Sequence, residues 1–327
     1  MTALGIEGLK VGCFTDTANH TGCTVVLPPG DSTVGFAVRG GAPGTRESAV
    51  LSVGSANHTD HAIVLCGSSL FGLRAADGVV DWCVENGIGL ELPGGRFPIV
   101  GAAVVMDIQS PDQRRLSAED GRAACEAAEA DDPPQGSVGV GTGCTVGKEG
   151  GRAWGSKGGQ GWATVASGEL TVSALMAVNA FGSVYGPDGR VVAGSRAPDS
   201  YPRYPEHPPH RLYDADGVPV GRAEWGSLSE EAASNTVIGV VVTNGALNKP
   251  AACRVADLAH TGIARRVDPA HTSMDGDALF TVATGEVEAS VDQVSHLAGL
   301  AVSEAILNGV RHATAMPGWP VDPRSQI

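Results

Sequence analysis

Aromatic side chains, positive charge and long apolar runs are all scarce in this chain. Aromatic residues make up 5% of its 327 residues, and 22 lysines and arginines stand against 36 aspartates and glutamates, which leaves a net charge of −14. Such a charge repels a polyanion, so a nucleic-acid partner is not expected. No apolar run reaches the roughly 20 residues that a membrane-spanning helix needs, so no membrane partner is expected either.

Paired cysteine motifs are also missing. The seven cysteines are odd in number and irregularly spaced, and no C-x-x-C pair occurs among them. The first residues contain no basic segment followed by a long apolar stretch, as a secretory signal would require. We therefore expect reduced thiols and a cytoplasmic protein.

Glycine is abundant, with 46 residues, and apolar residues alternate between strand-like and helix-like spacing. Three- and four-residue spacing predicts helices over residues 69–86, 118–130, 251–266 and 291–310. Short apolar runs predict strands over residues 23–27, 33–38, 62–65, 98–108, 170–184, 237–242 and 279–284. This mixture favours a layered α/β or α+β fold. Strong strands flank the polar residues 197–234, which therefore look like a surface loop within a single domain, 1–327.

A threonine at the start of an apolar strand is the most informative feature. Thr236 follows Asn235 and leads the run Val237-Ile238-Gly239-Val240-Val241-Val242. A threonine that becomes N-terminal can use its own α-amino group as the base for its hydroxyl. The pattern therefore suggests self-cleavage into an α chain, 1–235, and a β chain, 236–327. An ordinary threonine at the start of a strand is the alternative.

A glycine-rich segment, residues 139–148, ends in Lys148. It does not match a phosphate-binding Walker A loop, because Thr142 stands where that loop needs glycine and Glu149 where it needs serine or threonine. Glycines let backbone segments approach closely, so the run can wrap a buried site. Lys148 would there lose solvation and have a lowered pKa. A surface lysine in a flexible loop is the alternative.

Three further polar positions can carry chemistry. Asn179 lies in an apolar strand, where it can either pin a turn or donate its amide to a developing oxyanion. Asp275 and Asp277 flank a glycine, and they can either form a tight turn or hold an ammonium group; the spacing excludes an EF-hand calcium loop. No metal is expected, because no third cluster accompanies the nearest candidate ligands, His58, Asp60 and His61.

Seven segments, in the same order along the chain, together resemble one family of peptidases. They are Gly41-Ala42-Pro43-Gly44-Thr45-Arg46-Glu47, Gly67-Ser68-Ser69-Leu70-Phe71-Gly72-Leu73, Pro98-Ile99-Val100-Gly101-Ala102-Ala103-Val104, Gly141-Thr142-Gly143 through Gly147-Lys148, Ala177-Val178-Asn179-Ala180-Phe181-Gly182, Asn235-Thr236-Val237-Ile238-Gly239-Val240-Val241 and Met274-Asp275-Gly276-Asp277. The family is that of the L-aminopeptidase/D-esterases, peptidase family S58. It includes β-peptidyl aminopeptidases and the nylon-oligomer (6-aminohexanoate oligomer) hydrolase.

The resemblance implies an α+β fold: a four-layer αββα sandwich similar to N-terminal-nucleophile hydrolases but with different connectivity. It implies self-cleavage before Thr236, which matches the nucleophile, and no cofactor. By the same resemblance Lys148 matches the lysine beside the nucleophile, Asn179 the oxyanion donor, and Asp275 and Asp277 the groups that orient the nucleophile and its amino group.

The walls of the substrate pocket are predicted as well. Gly141, Gly143 and Phe71 are the candidates for its walls. The best-known members of the family carry a tyrosine where Phe71 stands, so the hydroxyl of that tyrosine is missing here. This departure leaves the details of proton transfer and the substrate range open.

The expected activity is hydrolysis of amide or ester bonds in small peptides, amino-acid amides or ω-amino-acid oligomers, by a homotetramer of α/β units. Two alternatives remain. An acyltransferase of the ornithine acetyltransferase type would pass the acyl group to an amine and would move acetyl from acetylornithine to glutamate. An uncleaved, non-catalytic scaffold would remain one intact chain without amidase activity.

Overall fold

The computed structural model describes residues 2–198 and 235–326. The predicted loop at 197–234 therefore lies outside the described residues from residue 199 onward. Each of the four segments predicted to be helical contains an α-helix. The described α-helices are α1 (Ala75–Glu85), α2 (Ala118–Glu126), α3 (Lys249–Ala264) and α4 (Val291–Arg311).

Seventeen strands occur within the described residues. In chain order they are β1 (Lys10–Asp16), β2 (Thr21–Leu27), β3 (Thr33–Val38), β4 (Thr45–Arg46), β5 (Ala62–Cys66), β6 (Leu90–Leu92), β7 (Gly95–Phe97), β8 (Val100–Val104), β9 (Thr145–Val146), β10 (Ser156–Lys157), β11 (Gly159–Ser167), β12 (Leu170–Asn179), β13 (Ser183–Tyr185), β14 (Val191–Ala193), β15 (Thr236–Gly245), β16 (Val267–Asp268) and β17 (Ala278–Val287). Short 3₁₀ helices are found at Ala3–Gly5, Ser69–Arg74, Gly139–Gly141, Arg152–Trp154 and Pro323–Gln326.

Side-chain caps set where three of the helices begin. Ser117 and Asp120 form a capping box at the start of α2. The side chain of Asn248 accepts from the third residue of its helix, Ala251, at 3.0 Å, so α3 begins two residues before the predicted position. Ser290 caps α4 in the same way. Each such cap contributes about 1 kcal/mol by satisfying an amide that the helix leaves unpaired.

Two five-stranded sheets form the centre of the molecule. The first sheet has the strand order β1-β2-β5-β8-β4, and the second has the order β11-β12-β15-β17-β3. Each sheet contains one parallel pair, β5 with β8 and β15 with β17, and its other neighbours are antiparallel. Parallel neighbours require a crossover connection. The chain forms α1 between β5 and β8, and α3 between β15 and β17.

The sheets pack face to face, and each is covered by two helices on its outer face. In β5 the side chains of Ile63 and Leu65 point into the core between the sheets, while those of Ala62 and Val64 contact the layer of α1 and α2. The second sheet packs likewise against α3 and α4. Each fully buried aliphatic side chain contributes about 1.5–3 kcal/mol, so both faces of both sheets are stabilised. The predicted αββα sandwich is confirmed.

Some predicted strands have different limits. The run predicted over 170–184 ends as β12 at Asn179 and resumes as β13, and the run over 98–108 forms only the five residues of β8. Strand β11 was not predicted, because it begins in a glycine-dense stretch. A side chain at Gly161 would place its Cβ 2.2 Å from the backbone oxygen of Ala305 in α4, so glycine is required there for the helix to pack on the strand.

Other expectations concern cysteine, metal ligands and membranes. All seven cysteines lie in the described residues as free thiols. Asp60 accepts a hydrogen bond from the Gly101 amide at 3.0 Å, and His61 Nδ1 accepts one from the Ile99 amide at 3.0 Å, so both side chains hold backbone. Within residues 2–198 and 235–326, no helix combines the length and the apolar character needed to cross a bilayer.

Candidate active site

Chain direction brings three segments together at one edge of the second sheet. Strands β12 and β15 are antiparallel, so the end of β12 lies beside the start of β15, and Asn179 pairs with Thr236. Strands β15 and β17 are parallel, so the residues that precede them also lie side by side, and Asp275 bridges to Asn235. The two neighbours of β15 therefore place Asn179 and Asp275 on either side of the Asn235-Thr236 peptide.

The peptide bond between Asn235 and Thr236 is buried. The two residues are 2% and 5% exposed. The Thr236 hydroxyl donates a hydrogen bond to the carbonyl oxygen of Asn235, and the Gly276 amide donates to the same oxygen at 3.3 Å. The hydroxyl thus lies against the peptide group that precedes it, and a backbone N–H polarises that group.

Asn179 is fully buried at the end of β12. Its Oδ1 accepts hydrogen bonds from the Thr145 amide at 2.9 Å, the Thr145 hydroxyl at 3.2 Å and Lys148 Nζ at 3.2 Å. Its Nδ2 donates to the carbonyl oxygen of Met106 at 3.1 Å. The donors around Oδ1 fix the orientation of the amide, because they can only face the oxygen.

Lys148 lies in the wall that the glycine-rich segment builds beside Asn179. Its backbone amide donates to the Phe181 carbonyl at 2.7 Å, and its Nζ donates to both the carbonyl and the side-chain oxygen of Asn179, each at 3.2 Å. Burial lowers the pKa of Lys148 to about 7, and the nearby charge of Arg152 lowers it further, while Asp275 opposes the change. At neutral pH this lysine can therefore accept or donate a proton.

The two predicted aspartates lie on the other side of Thr236 and have different partners. Asp275 Oδ2 accepts from the Thr272 amide at 2.7 Å. Burial raises the pKa of Asp275 to about 6, the charge of Asp277 adds to this, and Lys148 opposes it. Asp277 Oδ1 accepts from the Val237 amide at 2.6 Å, directly after the threonine. The Asp277 side chain therefore holds the backbone that follows Thr236, and the Asp275 side chain holds the Thr272 turn beside it.

Gly141 and Gly143 are buried in the wall that carries Lys148, whereas Phe71 is 49% exposed. A Cβ on Gly141 would lie 2.1 Å from the Gln160 amide nitrogen, and one on Gly143 would lie 2.5 Å from the Asp107 side chain, so both positions need glycine for close packing. The Phe71 ring lies on the 3₁₀ helix Ser69–Arg74, with two guanidinium groups over it, those of Arg74 and Arg115.

Sequence reasoning assigned no role to Lys157 and His271. The buried ammonium of Lys157 donates to the carbonyls of Gly141, Cys144 and Gly158, at 2.9 Å each, and so holds the glycine-rich segment from behind. His271 Nδ1 lies 2.7 Å from Asp277 Oδ2. For His271 a signal was present, because it precedes Asp277 within one short polar segment; for Lys157 no signal distinguished it from any other lysine.

Gly276 packs closely against the Thr236 side chain, which leaves little room for a side chain at position 276. A Cβ on Gly276 would lie 2.9 Å from Thr236 Oγ and 3.0 Å from the Ala42 carbonyl oxygen, closer than carbon and oxygen approach. We expect Gly276→Ala to displace the hydroxyl and to slow any self-cleavage by about 10²-fold, the scale of a 1 Å misplacement. Time-resolved denaturing mass spectrometry after cell-free synthesis would measure the rate.

Gly30→Ala is the matched control for that substitution, because a Cβ at Gly30 has no heavy atom within 4 Å. Its cleavage rate should equal that of the unsubstituted chain. A Gly276→Ala chain that cleaves as fast as the Gly30→Ala chain would contradict the expected displacement.

Comparisons with known proteins agree with this arrangement. The model of Peptidase family S58 matches residues 4–321. An uncharacterized aminopeptidase of Mycobacterium leprae is 38% identical over 320 residues, covering 91% of this chain and 84% of that protein. The 6-aminohexanoate-oligomer endohydrolase of Paenarthrobacter ureafaciens is 28% identical over 321 residues, covering 95% of this chain and 82% of that enzyme.

A solved structure shares the fold. The L-aminopeptidase D-Ala-esterase/amidase of Ochrobactrum anthropi, described as a variant of the N-terminal-nucleophile hydrolase fold, superposes with a TM-score of 0.71 at 17% identity and covers 99% of this chain and 92% of its own. The fold is thus a variant of the N-terminal-nucleophile hydrolase fold, and the family model and the relatives identify a hydrolase. The chain belongs to peptidase family S58. The predicted family and the predicted class of enzyme are thus confirmed.

Proposed function

We propose that the chain cuts itself between Asn235 and Thr236 and then hydrolyses amide or ester bonds through an acyl-enzyme on Thr236. One observation carries the proposal: the Thr236 hydroxyl lies on the Asn235 carbonyl, with the Asn179–Lys148 pair on one side and the two aspartates on the other. A hydroxyl on the preceding carbonyl, with a titratable lysine close by, is what an N→O acyl shift requires.

Self-cleavage begins with attack by Thr236 Oγ on the carbonyl carbon of Asn235. The C–N bond to Thr236 then breaks, and the hydroxyl proton passes by way of Lys148 to the departing nitrogen. The Gly276 amide, 3.3 Å from the carbonyl oxygen, stabilises the negative charge that develops there. Water next hydrolyses the ester, which leaves a carboxylate on Asn235 and a free amino group on Thr236.

Turnover uses the same threonine after release. The α-amino group of a chain terminus has a pKa of about 7.7–8.0, so that of Thr236 can accept the hydroxyl proton near neutral pH. The Asn179 amide donates to the oxyanion of the substrate, and Lys148 assists proton movement. The carboxylates of Asp275 and Asp277 hold the new ammonium, and water releases the acyl group.

The substrate class follows from the relatives. Their names specify an aminopeptidase and an endohydrolase of 6-aminohexanoate oligomers. We extend these activities to small peptides, amino-acid amides or esters and ω-amino-acid oligomers as substrates of this chain, with Phe71, Gly141 and Gly143 in the pocket wall. We further propose a single domain, a homotetramer of α/β units and a cytoplasmic location. The homotetramer rests on the family resemblance, and the location rests on the unpaired cysteines.

Denaturing mass spectrometry of the purified protein tests the proposal first. We expect two chains, 1–235 and 236–327, the second beginning at Thr236. Amino-acid p-nitroanilides and 6-aminohexanoate oligomers would then be hydrolysed, and no acetyl would move from acetylornithine to glutamate. One intact chain without amidase activity would contradict the proposal.

The pH dependence of self-cleavage is a separate prediction. Lys148, with its pKa lowered to about 7 by burial, is a neutral amine and a proton acceptor only above that pH. Asp275, with its pKa raised to about 6 by burial, is a carboxylate only above about 6. We therefore expect the cleavage rate to increase as the pH is raised from 5 through both values, measured after cell-free synthesis.

Lys148→Met separates the two contributions. Methionine keeps the length of the side chain but has no amine, so we expect cleavage about 10²–10⁴-fold slower, the usual contribution of a general base. The increase near pH 7 should disappear while the increase near pH 6 remains. Lys10→Met, at an exposed position in β1, is the control. An unchanged pH profile in Lys148→Met would remove Lys148 from the reaction.

A further inference from the structure

A histidine beside the acidic pair has contacts that the reaction described above does not use. Asp277 Oδ2 accepts from the backbone amide of His271 at 3.1 Å and lies 2.7 Å from His271 Nδ1, while Oδ1 accepts from the Val237 amide. The Asp277 carboxylate is 1% exposed. One buried carboxylate thus connects the His271 loop to the residue that follows the nucleophile.

The Asp277 carboxylate contacts a residue that lies before the hydrogen-bonded ladder between β15 and β17. Strands β15 and β17 first pair at Ile238 and Ala278. Val237 precedes that ladder, and the side chain of Asp277 provides the acceptor for its amide. If the carboxylate rotates away, the Val237 amide loses its acceptor, and Thr236 and Val237 are held on the β17 side only by the Asn235–Asp275 bridge before them and the ladder after them.

A buried carboxylate also requires a compensating charge or several hydrogen-bond donors. His271 lies within hydrogen-bond distance of Asp277 and carries a positive charge when its ring is protonated. Burial alone would lower the pKa of His271. The hydrogen bond and the charge of Asp277 outweigh burial and raise this pKa, and the backbone of His260 and the charge of Asp275 raise it as well. A protonated His271 therefore matches a charged Asp277.

The remaining charged groups around the pair do not replace this interaction. The His260 ring of α3 lies edge-on to that of His271 at 5.0 Å, and burial together with the charge of His271 lowers its pKa to about 4, so it is neutral near pH 7. Arg39 donates its backbone amide to the Asp277 carbonyl at 2.9 Å, while its guanidinium pairs with Asp257. His271 is thus left to supply the positive charge.

We propose that His271 is a positioning residue whose protonated ring holds the Asp277 carboxylate on the Val237 amide and thereby fixes Thr236 for attack. The proposal rests on the proposed function of Thr236. As pH rises through the raised pKa of His271, the ring loses its charge, and the Asp277 carboxylate loses the electrostatic attraction of that charge and keeps only a hydrogen bond from a neutral ring. Self-cleavage should therefore decline on the alkaline side of its optimum.

Two substitutions separate the hydrogen bond from the charge. The backbone of His271 is left-handed, with φ at 57°, a conformation that asparagine and glycine both tolerate. His271→Asn keeps a donor near the position of Nδ1 but cannot be charged, and His271→Gly removes the side chain. His296→Asn, at an exposed position of α4, is the matched control.

The measurement is the self-cleavage rate from pH 5 to 10 after cell-free synthesis, which needs no substrate. We expect His271→Asn to lose the alkaline decline and to cleave about tenfold more slowly at the optimum, and His271→Gly to cleave about 10²-fold more slowly. His296→Asn should behave as the unsubstituted chain does. Thermal melting would report whether His271→Gly is folded; if it is not, His271→Asn alone decides.

An alkaline decline that persists unchanged in His271→Asn would overturn the proposal, as would unchanged cleavage in a folded His271→Gly. Failure of the proposed function has a different signature, because the unsubstituted chain would then remain intact or Thr236→Ala would still be cleaved. Cleavage lost in Thr236→Ala but unaltered in both His271 variants would refute the positioning role alone.

Discussion

Thr236→Ala is expected to remain a single chain of 327 residues and to lose hydrolysis by a factor on the order of 10⁶, the scale measured when a hydrolase loses its hydroxyl nucleophile. The reason is that the proposed mechanism requires one oxygen twice. It attacks the Asn235 carbonyl on which it lies, and afterwards it attacks the substrate. Denaturing mass spectrometry and a p-nitroanilide assay measure the two losses on the same preparation.

The controls for Thr236 come from the same residue and the same strand. Thr236→Ser keeps a hydroxyl and should still cleave and turn over. Thr243→Ala removes another buried hydroxyl of β15, one that donates to the Thr171 carbonyl at 2.8 Å, and should lower stability without preventing cleavage. Normal cleavage of Thr236→Ala would reject the nucleophile assignment.

Asn179→Asp is expected to lower kcat by about 10²–10³-fold, the scale for removal of one oxyanion donor. Aspartate keeps an oxygen for Thr145 and for Lys148, so the three contacts at Oδ1 can persist. It replaces the amide donor by a second oxygen, which repels an oxyanion. KM should change much less than kcat, because the lost interaction forms only in the transition state.

Asn244→Asp is the control for this substitution because the Asn244 amide also accepts from one backbone amide and donates to one backbone carbonyl. At the other end of β15, Asn244 Oδ1 accepts from the Thr171 amide and its Nδ2 donates to the Glu169 carbonyl, both at 2.8 Å. Both substitutions should lower the melting temperature, but only Asn179→Asp should lower kcat. Equal kcat values in the two variants would exclude Asn179 as an oxyanion donor.

The fold could be predicted from the sequence where apolar spacing was regular. The two long helices near the C-terminus were expected within a few residues of α3 and α4, because their apolar residues recur every three or four positions. Strand β11 could not be predicted, since its glycines look like a loop. Glycine is needed at 161 because α4 packs against the strand there, and this contact is invisible in the local sequence.

The two lysines of the glycine-dense stretch show how far the site residues could be predicted from the sequence. Lys148 and Lys157 are both almost fully buried, at 4% and 1% exposure, and each follows or precedes glycines. Only the packing distinguishes them, since Lys157 donates to three backbone carbonyls whereas Lys148 lies on Asn179. The glycine-rich segment made Lys148 a candidate with a surface lysine as the alternative, and the family resemblance selected it.

By itself the sequence determined the class of protein, through seven segments in the order of peptidase family S58 and through apolar runs that must be buried in layers. It also singled out Asn235-Thr236 as a position where a hydroxyl precedes a strand. Only the tertiary structure decided what surrounds that hydroxyl. The antiparallel β12 and the parallel β17 bring Asn179 and Asp275 to the same edge, and His271 reaches Thr236 only through Asp277. Strand direction and close packing depend on contacts between residues distant along the chain, and local spacing does not encode them.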